Sequence, residues 1–428
     1  MLLLDGIFFR SSTAFWDAST IIPSLIHDLY GSRFLTGLVP TLRYGGWYAP
    51  QLLVAKYSER TVYKKRLLLF GYLIVTGSYS ALTLLTLFGS PLWLKSSPLL
   101  VLGAYGLACI GDGVCGVPWW TLIAKTISPR RRGRLTGYSE SVGSLMAFGA
   151  GFVVTTIIAS GRFGFPDYYG VLFAIGIAVS LVSVVAIALI KEPPSLVGGQ
   201  SGTSFFAFVK KAPMILKENP SYTRFVITKG LLMCHFLSLP FCITFARDVV
   251  GLPPQVVGEF ISFQMVGGML GSLVLGHLAD RSGTRSAMIL TAVGTFLIPC
   301  LPLICSLLAN AVLVSPKSIL IRGLLSATYV LIGLANVGSL IAMGNYVLEI
   351  STPQDRAFYV GLSNTLVFPA SFLPALAGAS LKWIGYEILF LMTAVIVGIG
   401  LVCAIRLDEP RALSHSEREK ETNRWSLV

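Results

Sequence analysis

Apolar stretches of bilayer-crossing length alternate with short polar connections along almost all of this chain. About 20 apolar residues in a helix cover a hydrocarbon core, and twelve stretches meet that length: 7–30, 35–57, 66–89, 97–126, 135–160, 168–190, 222–249, 256–279, 287–309, 317–350, 356–383 and 384–406. Those at 97–126 and 317–350 are longer than a crossing needs, so interfacial turns are expected within them. One polar interval is much longer than the rest. It opens with Glu192-Pro193-Pro194, which stops a helix, and passes through Gly198-Gly199-Gln200-Ser201-Gly202. Phe205, Phe206, Phe208, Val209, Met214, Ile215 and Leu216 then alternate with Lys210, Lys211 and Lys217, which predicts a basic amphipathic helix on a membrane surface. The pattern therefore predicts an all-α membrane protein. It has a six-helix bundle over 1–190, a linker over 191–221, a second six-helix bundle over 222–406 and a polar tail over 407–428.

Composition agrees about the solvent. Hydrophobic residues make up 54% of the 428 and charged residues only 12%, with mean hydropathy +0.74, against about 25% charged in soluble domains. The net charge of +13 would suit a nucleic-acid partner if it lay in one patch, but it follows the loops instead. Lys64, Lys65 and Arg66, then Arg130, Arg131, Arg132 and Arg134, then Lys210, Lys211 and Lys217 fall on one side, the side of both termini. Opposite loops carry Arg33, Lys95, Arg162, Arg247, Lys317 and Lys382. By the positive-inside rule both termini are expected in the cytoplasm, in a multi-pass inner-membrane protein. No nucleic-acid partner is expected. The apolar start is interrupted by Arg10 and Asp17 and no small-residue cleavage site follows, so a signal peptide is not predicted.

The chain also repeats itself. Pro129, Arg132 and Gly137 recur as Pro353, Arg356 and Gly361 at an offset of 224, and Glu59-Arg60 recurs as Asp280-Arg281 at 221. Matching loops in matching order mean one unit used twice. In a membrane protein that arrangement places a binding site between the halves, as in secondary transporters. The seven cysteines lie in predicted spans without a Cys-x-x-Cys pair, and the four histidines are scattered. They read as buried small residues and not as a metal site. Phosphate-loop, His-Glu-x-x-His and Gly-x-Ser-x-Gly patterns are missing from the sequence, so neither catalysis nor a cofactor is expected.

Gly276-His277-Leu278-Ala279-Asp280-Arg281-Ser282-Gly283-Thr284-Arg285 resembles the G-x-x-x-D-R-x-G-x-R loop signature of the major facilitator superfamily, between its eighth and ninth helices. Glu349 and Arg356 resemble that family's E-x-x-x-x-x-x-R pattern, with Lys125 and Arg132 in the first-half equivalents. The resemblance implies twelve helices in two pseudo-symmetric bundles, a central cavity lined by helices 1, 4, 7 and 10, and alternating access. Glu59, Arg60, Arg132, Asp280, Arg281, Arg285, Glu349 and Arg356 are the expected cytoplasmic latch, carboxylates meeting arginines and helix amino ends as the halves close. The alternative is that they only stiffen turns. Two departures stand out: Leu107 occupies the place of a helix 4 arginine, and helix 5 lacks the glycine-proline signature between Ser141 and Val154.

Ionisable residues inside spans cost about 2.5–3.5 kcal/mol on insertion scales, so they usually face the interior and have a task. Asp17, Asp112, Arg43, Glu140, Lys229 and Arg322 are the substrate or proton-coupling candidates, with Trp16 and Trp119 as aromatic walls. By the resemblance, Asp17, Asp112, Lys229 and Arg322 line the cavity. Internal pairing that only locks helices is the alternative for each acid. Asp112 is expected to be the primary proton carrier, since Gly111 and Gly113 would leave room beside it, and Asp17 the second. The function expected is secondary active transport of a small organic molecule, amphipathic or polar, by alternating access, coupled to protons, by a monomer in a lipid bilayer. Uptake and efflux both remain open. A non-transporting scaffold, receptor or assembly factor is the alternative.

Overall fold

The computed structural model describes residues 1–59, 61–127, 129–194, 213–310, 315, 318–351 and 356–410. Among the described residues twelve helical rods cross back and forth: α1 (2–30), α2 (33–59), α3 (Lys64–Phe88), α4 (Pro98–Thr126), α5 (Pro129–Ala159), α6 (Asp167–Ala188), α7 (Pro220–Asp248), α8 (Val256–Ser282), α9 (Thr284–Asn310), α10 (Ile319–Ile350), α11 (356–384) and α12 (386–405). Nine helical stretches among the described residues are long and apolar enough to span a membrane, and the last of them, Tyr359–Ile405, takes in most of α11 and all of α12. The chain reverses inside it at Gly385, whose φ of 73° is a conformation glycine adopts without strain. Lipid-facing positions stay apolar and open, with Leu99 85%, Trp383 80% and Leu73 68% exposed. In water such a surface would aggregate; in lipid it is the expected outer face.

Each half packs around its own core. In the first, α1 lies against α5 and α6, and α3 against α4 and α6; in the second, α7 lies against α11 and α12, and α9 against α10 and α12. The halves meet where α2 crosses α11 and where α5 crosses α8. These crossings are close because small residues let backbones touch. A Cβ on Gly37 would strike the Pro374 carbonyl, and one on Gly151 or Gly258 would strike the facing helix.

Several boundaries differ from the sequence reading. α1 begins at Leu2 and not near residue 7, because Met1 and Asp5 stay in helical register. Pro98–Thr126 is one unbroken helix, and α10 absorbs its extra length in a π turn over Ser339–Met343, so neither contains an interfacial turn. Within the linker, residues 213–218 form a helix with Ile215 buried, and the remainder of the expected amphipathic helix lies outside the described residues. So does the tail beyond Pro410.

Candidate functional site

The centre of the molecule is marked by two broken helices at equivalent places. α1 tightens into a 3₁₀ turn over Thr13–Trp16 and α7 into one over Cys234–Leu237, 221 residues later. A break frees backbone groups that a membrane cannot satisfy, so it persists where protein partners or a cavity receive them. Asp17 sits at the end of the first turn. Its Oδ1 accepts from the Ser19 amide at 2.9 Å, the Ser19 hydroxyl at 2.5 Å and the Thr20 hydroxyl at 2.9 Å. Its Oδ2 accepts from Nε2 of Gln264, on α8 of the other half, at 3.0 Å. Ser19 Oγ also lies 2.8 Å from Gln264 Oε1. In the second turn the His235 ring is buried with Nδ1 2.8 Å from the Leu232 carbonyl. Beside it Phe236 stacks on Tyr44 of α2, centroids 3.8 Å apart, again across the halves.

The other candidate charges are mostly matched within one half. Asp112 is buried and ion-paired with Arg43, whose guanidinium also lies 5.9 Å from the Trp47 ring. The space expected beside Asp112 is filled: a Cβ on Gly111 would meet Ile74 and one on Gly113 would meet the Gly46 carbonyl and Pro50. Those glycines serve helix packing. Glu140 faces Arg10 at 3.5 Å between α5 and α1. Lys229, on α7, is buried and donates to Ser363 Oγ at 3.1 Å and Asn364 Oδ1 at 2.7 Å on α11.

Three assignments change. Arg322 does not join the central residues; its fork takes the Glu259 carboxylate through two nitrogens, lining a shallow groove between α8 and α10 with the exposed Phe263 and Ile319. Trp16 is no cavity wall but stacks on Tyr79 at 4.0 Å inside the first bundle, where Gly176 of α6 makes room for it. Trp119 donates its Nε1 hydrogen to Asp5 at 2.7 Å. Asp5 was missed by the sequence reading because it precedes the predicted first span. It is fully buried and also accepts from Tyr72 at 2.7 Å and from Ser183.

On the face opposite the termini, α1 and α7 end in an interlocked quartet. Arg247 grips Asp28 with Nη2–Oδ1 2.8 Å and Nη1–Oδ2 3.0 Å, while His27 Nε2 lies 2.9 Å from Asp248 Oδ1. His27-Asp28 and Arg247-Asp248 are 220 residues apart in the repeat, so each half gives its base to the other half's acid. This is the self-complementary pairing that two-fold symmetry produces. Tyr169 donates to Asp28 at 2.9 Å, and Tyr386, under the Arg33 guanidinium, donates to Asp248 at 3.3 Å. The halves are therefore clasped from the centre to this face.

On the terminal face two of the latch residues, Glu349 and Arg285, meet partners in their own half. Thr284 donates to Glu349 Oε2 at 2.8 Å, and Arg285 donates Nη2 to the Ile405 carbonyl at 2.7 Å. Asp280 has a partner, and Arg281 is exposed. Arg60 and the side chains of Glu59, Arg132 and Arg356 lie outside the described residues. Two further acids do what the latch predicted of others. Glu192 accepts from the backbone N–H of Lys64 and Lys65, each at 2.8 Å, and ion-pairs with Lys125. Glu409 accepts from the Arg285 N–H at 3.1 Å. Burial alone would raise the Glu192 carboxyl, but the hydrogen bonds from Lys125, Lys65 and Lys64 outweigh it and hold it below the ordinary range. The signal was the repeated Glu-Pro, Glu192-Pro193 and Glu409-Pro410.

Two symmetric six-helix bundles around twin helix breaks define a multi-pass membrane protein of transporter architecture. The family model described as Major Facilitator Superfamily matches residues 231–427. The match runs from within α7 through α12, just under half of the chain, so the chain resembles that superfamily there, with the subfamily unassigned. A mutant of the nucleoside transporter NupG is similar over 95% of this chain and 98% of its own, at 15% identity and TM-score 0.67. The xylose transporter XylE from E. coli, in a partially occluded inward open conformation, is similar over 96% and 98%, at 12% identity and TM-score 0.67. A D-xylose-proton symporter is similar over 96% and 97%, at 12% and 0.68. At these identities the likeness is one of fold. No curated protein matches the chain in sequence.

Proposed function

We propose that the protein is a secondary transporter that carries a small organic molecule between its two bundles by alternating access, driven by protons, with both termini in the cytoplasm. The observation that carries this is Asp17. It sits at a helix break in the middle of the first rod and accepts a hydrogen bond from the opposite half through Gln264. A proton on that carboxyl removes an acceptor from the contact between halves, so its charge state and the closure of the halves are linked. Asp112 is less suited, because Arg43 neutralises it inside one half. Asp17 therefore takes the role expected of Asp112. Opening the opposite face requires the Asp28–Arg247 and His27–Asp248 pairs to part, and the cost of separating them is returned when substrate and proton bind at the centre.

The test uses proteoliposomes loaded with a pH-sensitive dye and challenged with nucleosides, pentoses and small organic acids, the first two being what the structural neighbours are named for. A transported compound moves protons with it. Asp17→Asn is expected to abolish accumulation driven by a pH gradient while exchange of labelled compound persists; Asp17→Asn accumulating at the wild-type rate would remove Asp17 from the coupling role. If no compound exchanges at all, the non-transporting alternative stands. Orientation is checked by single cysteines at Gly164 and Lys191, both exposed and on opposite faces. In intact cells only the one at Gly164 should react with an impermeant maleimide.

A further inference from the structure

The repeat exposes a missing counter-charge. In the first half Arg10 of α1 faces Glu140 of α5, with Ser139 beside it; the residues 224 positions later are Ser363 and Asn364, the two that hold Lys229 of α7. The same contact between the first and fifth helices of each bundle is thus built twice, once with a carboxylate and once with an amide. Arg10 has its acid. Lys229 has none among the described residues, although the residue is only 8% exposed. An ammonium has three hydrogens to donate, and Ser363 and Asn364 account for two. A buried charge without a partner is costly, so a membrane protein that keeps one has a use for it.

The direction of Lys229 fits such a use. Leu231 and Leu232 pack on Gly400 of α12, whose far side is open to lipid at Ile399 and Val402. Ile227, two residues before Lys229 and so on the opposite side of α7 at about 100° per residue, is 51% exposed, which turns Lys229 away from lipid and toward Ser363 and Asn364 of α11; α11 borders the other half through Pro374 and Gly37.

We propose that Lys229 binds the anionic group of the transported compound, a small organic carboxylate or phosphate ester, and that Asn364 is the specificity residue that leaves the ammonium unneutralised. This rests on the carrier reading above and names the substrate class of that site. A ligand anion supplies at the third ammonium hydrogen the charge that Glu140 supplies in the first half, while Ser363 and Asn364 hold the other two. A neutral analogue leaves the charge as it was and gains nothing.

Benzoate, phenyl phosphate and the neutral benzyl alcohol are titrated into the purified full chain in detergent, with binding read by calorimetry and thermal shift. At least one anion is expected to bind and raise Tm, and the one that does separates carboxylate from phosphate; benzyl alcohol is expected to do neither. Lys229→Gln should weaken the anion roughly tenfold or more, the value of a charged hydrogen bond, and Lys229→Arg should restore most of it. Asn364→Asp supplies the acid of the first half: it should raise Tm without ligand and also weaken the anion roughly tenfold or more. If Lys229→Gln does not fold, Asn364→Asp alone decides. Anion binding unchanged in Asn364→Asp, benzyl alcohol bound as tightly as the anions, or no anion bound by the folded wild type would each overturn the proposal. Binding in detergent needs no transport, so binding without flux in liposomes would keep this site and remove the carrier reading.

Discussion

Glu192 and Glu409 close the two bundles at equivalent points, just after α6 and α12, yet they are held very differently. Glu192 has a side chain only 1% exposed and is clamped by Lys125 and by two amides at the start of α3. Glu409 is half-buried and takes one amide at the start of α9, with its other oxygen buried and lacking a hydrogen bond. Both exploit the positive amino end of a helix. The difference is that the Glu192 clamp uses an ion pair and two amides where Glu409 has a single amide.

The largest effect expected is from Glu192→Gln, which strands the Lys125 ammonium and weakens the cap: about 3 kcal/mol of stability, in the range for breaking a buried pair, read by denaturation of the purified protein. The sign with pH follows. The folded carboxyl is depressed below its unfolded value of 4.5, so its stabilisation is complete above that pH and is lost as pH falls below it. Wild type should therefore lose more stability than Glu192→Gln on acidification below about pH 4.5. Equal losses would mean the clamp is idle.

Next in size is Asp28→Asn. It leaves Arg247 without its carboxylate at a site where both side chains are about 15% exposed, and should shift the face opposite the termini toward opening by about tenfold or more. Spin labels at Gly31 and Gly251 would report the widening. An unchanged distance distribution would reduce the quartet to a topology marker. The charge swap, Asp28→Arg with Arg247→Asp, should restore closure.

Glu409→Gln tests the comparison from its weaker side. It keeps shape and removes only the charge facing the Arg285 amide, so about 1 kcal/mol is expected. A loss equal to that of Glu192→Gln would erase the proposed asymmetry. Smallest of all is Arg322→Met with Glu259→Gln. That pair is 46% and 29% exposed at the perimeter, and a surface pair is worth roughly 0–1 kcal/mol. Transport should be unchanged, which would confirm that Arg322 stands outside the site.

Much of this was legible in the chain. Run length gave the rods, because a hydrocarbon core admits few alternatives to a helix whose backbone bonds are internal. The offset repeats gave two bundles, and mid-span charges gave Asp17, Asp112 and Lys229 as places to look. Signals were also present and passed over: the paired Glu-Pro, and His27-Asp28 against Arg247-Asp248. Asp5 escaped because a boundary error of a few residues put a buried acid outside its helix.

What the sequence by itself determined is periodicity, order and symmetry, since these follow from local hydropathy and from the comparison of one half with the other. Pairing was decided only by the fold. Whether Asp112 is a free carboxylate or a neutralised one depends on Arg43, 69 residues away, and whether Trp16 faces a cavity or a Tyr79 ring depends on how α1 turns at its break. Such outcomes are set by the rotation and depth of each helix against its neighbours, to within the few ångströms over which an ion pair forms or fails, and no single stretch of sequence contains that distance.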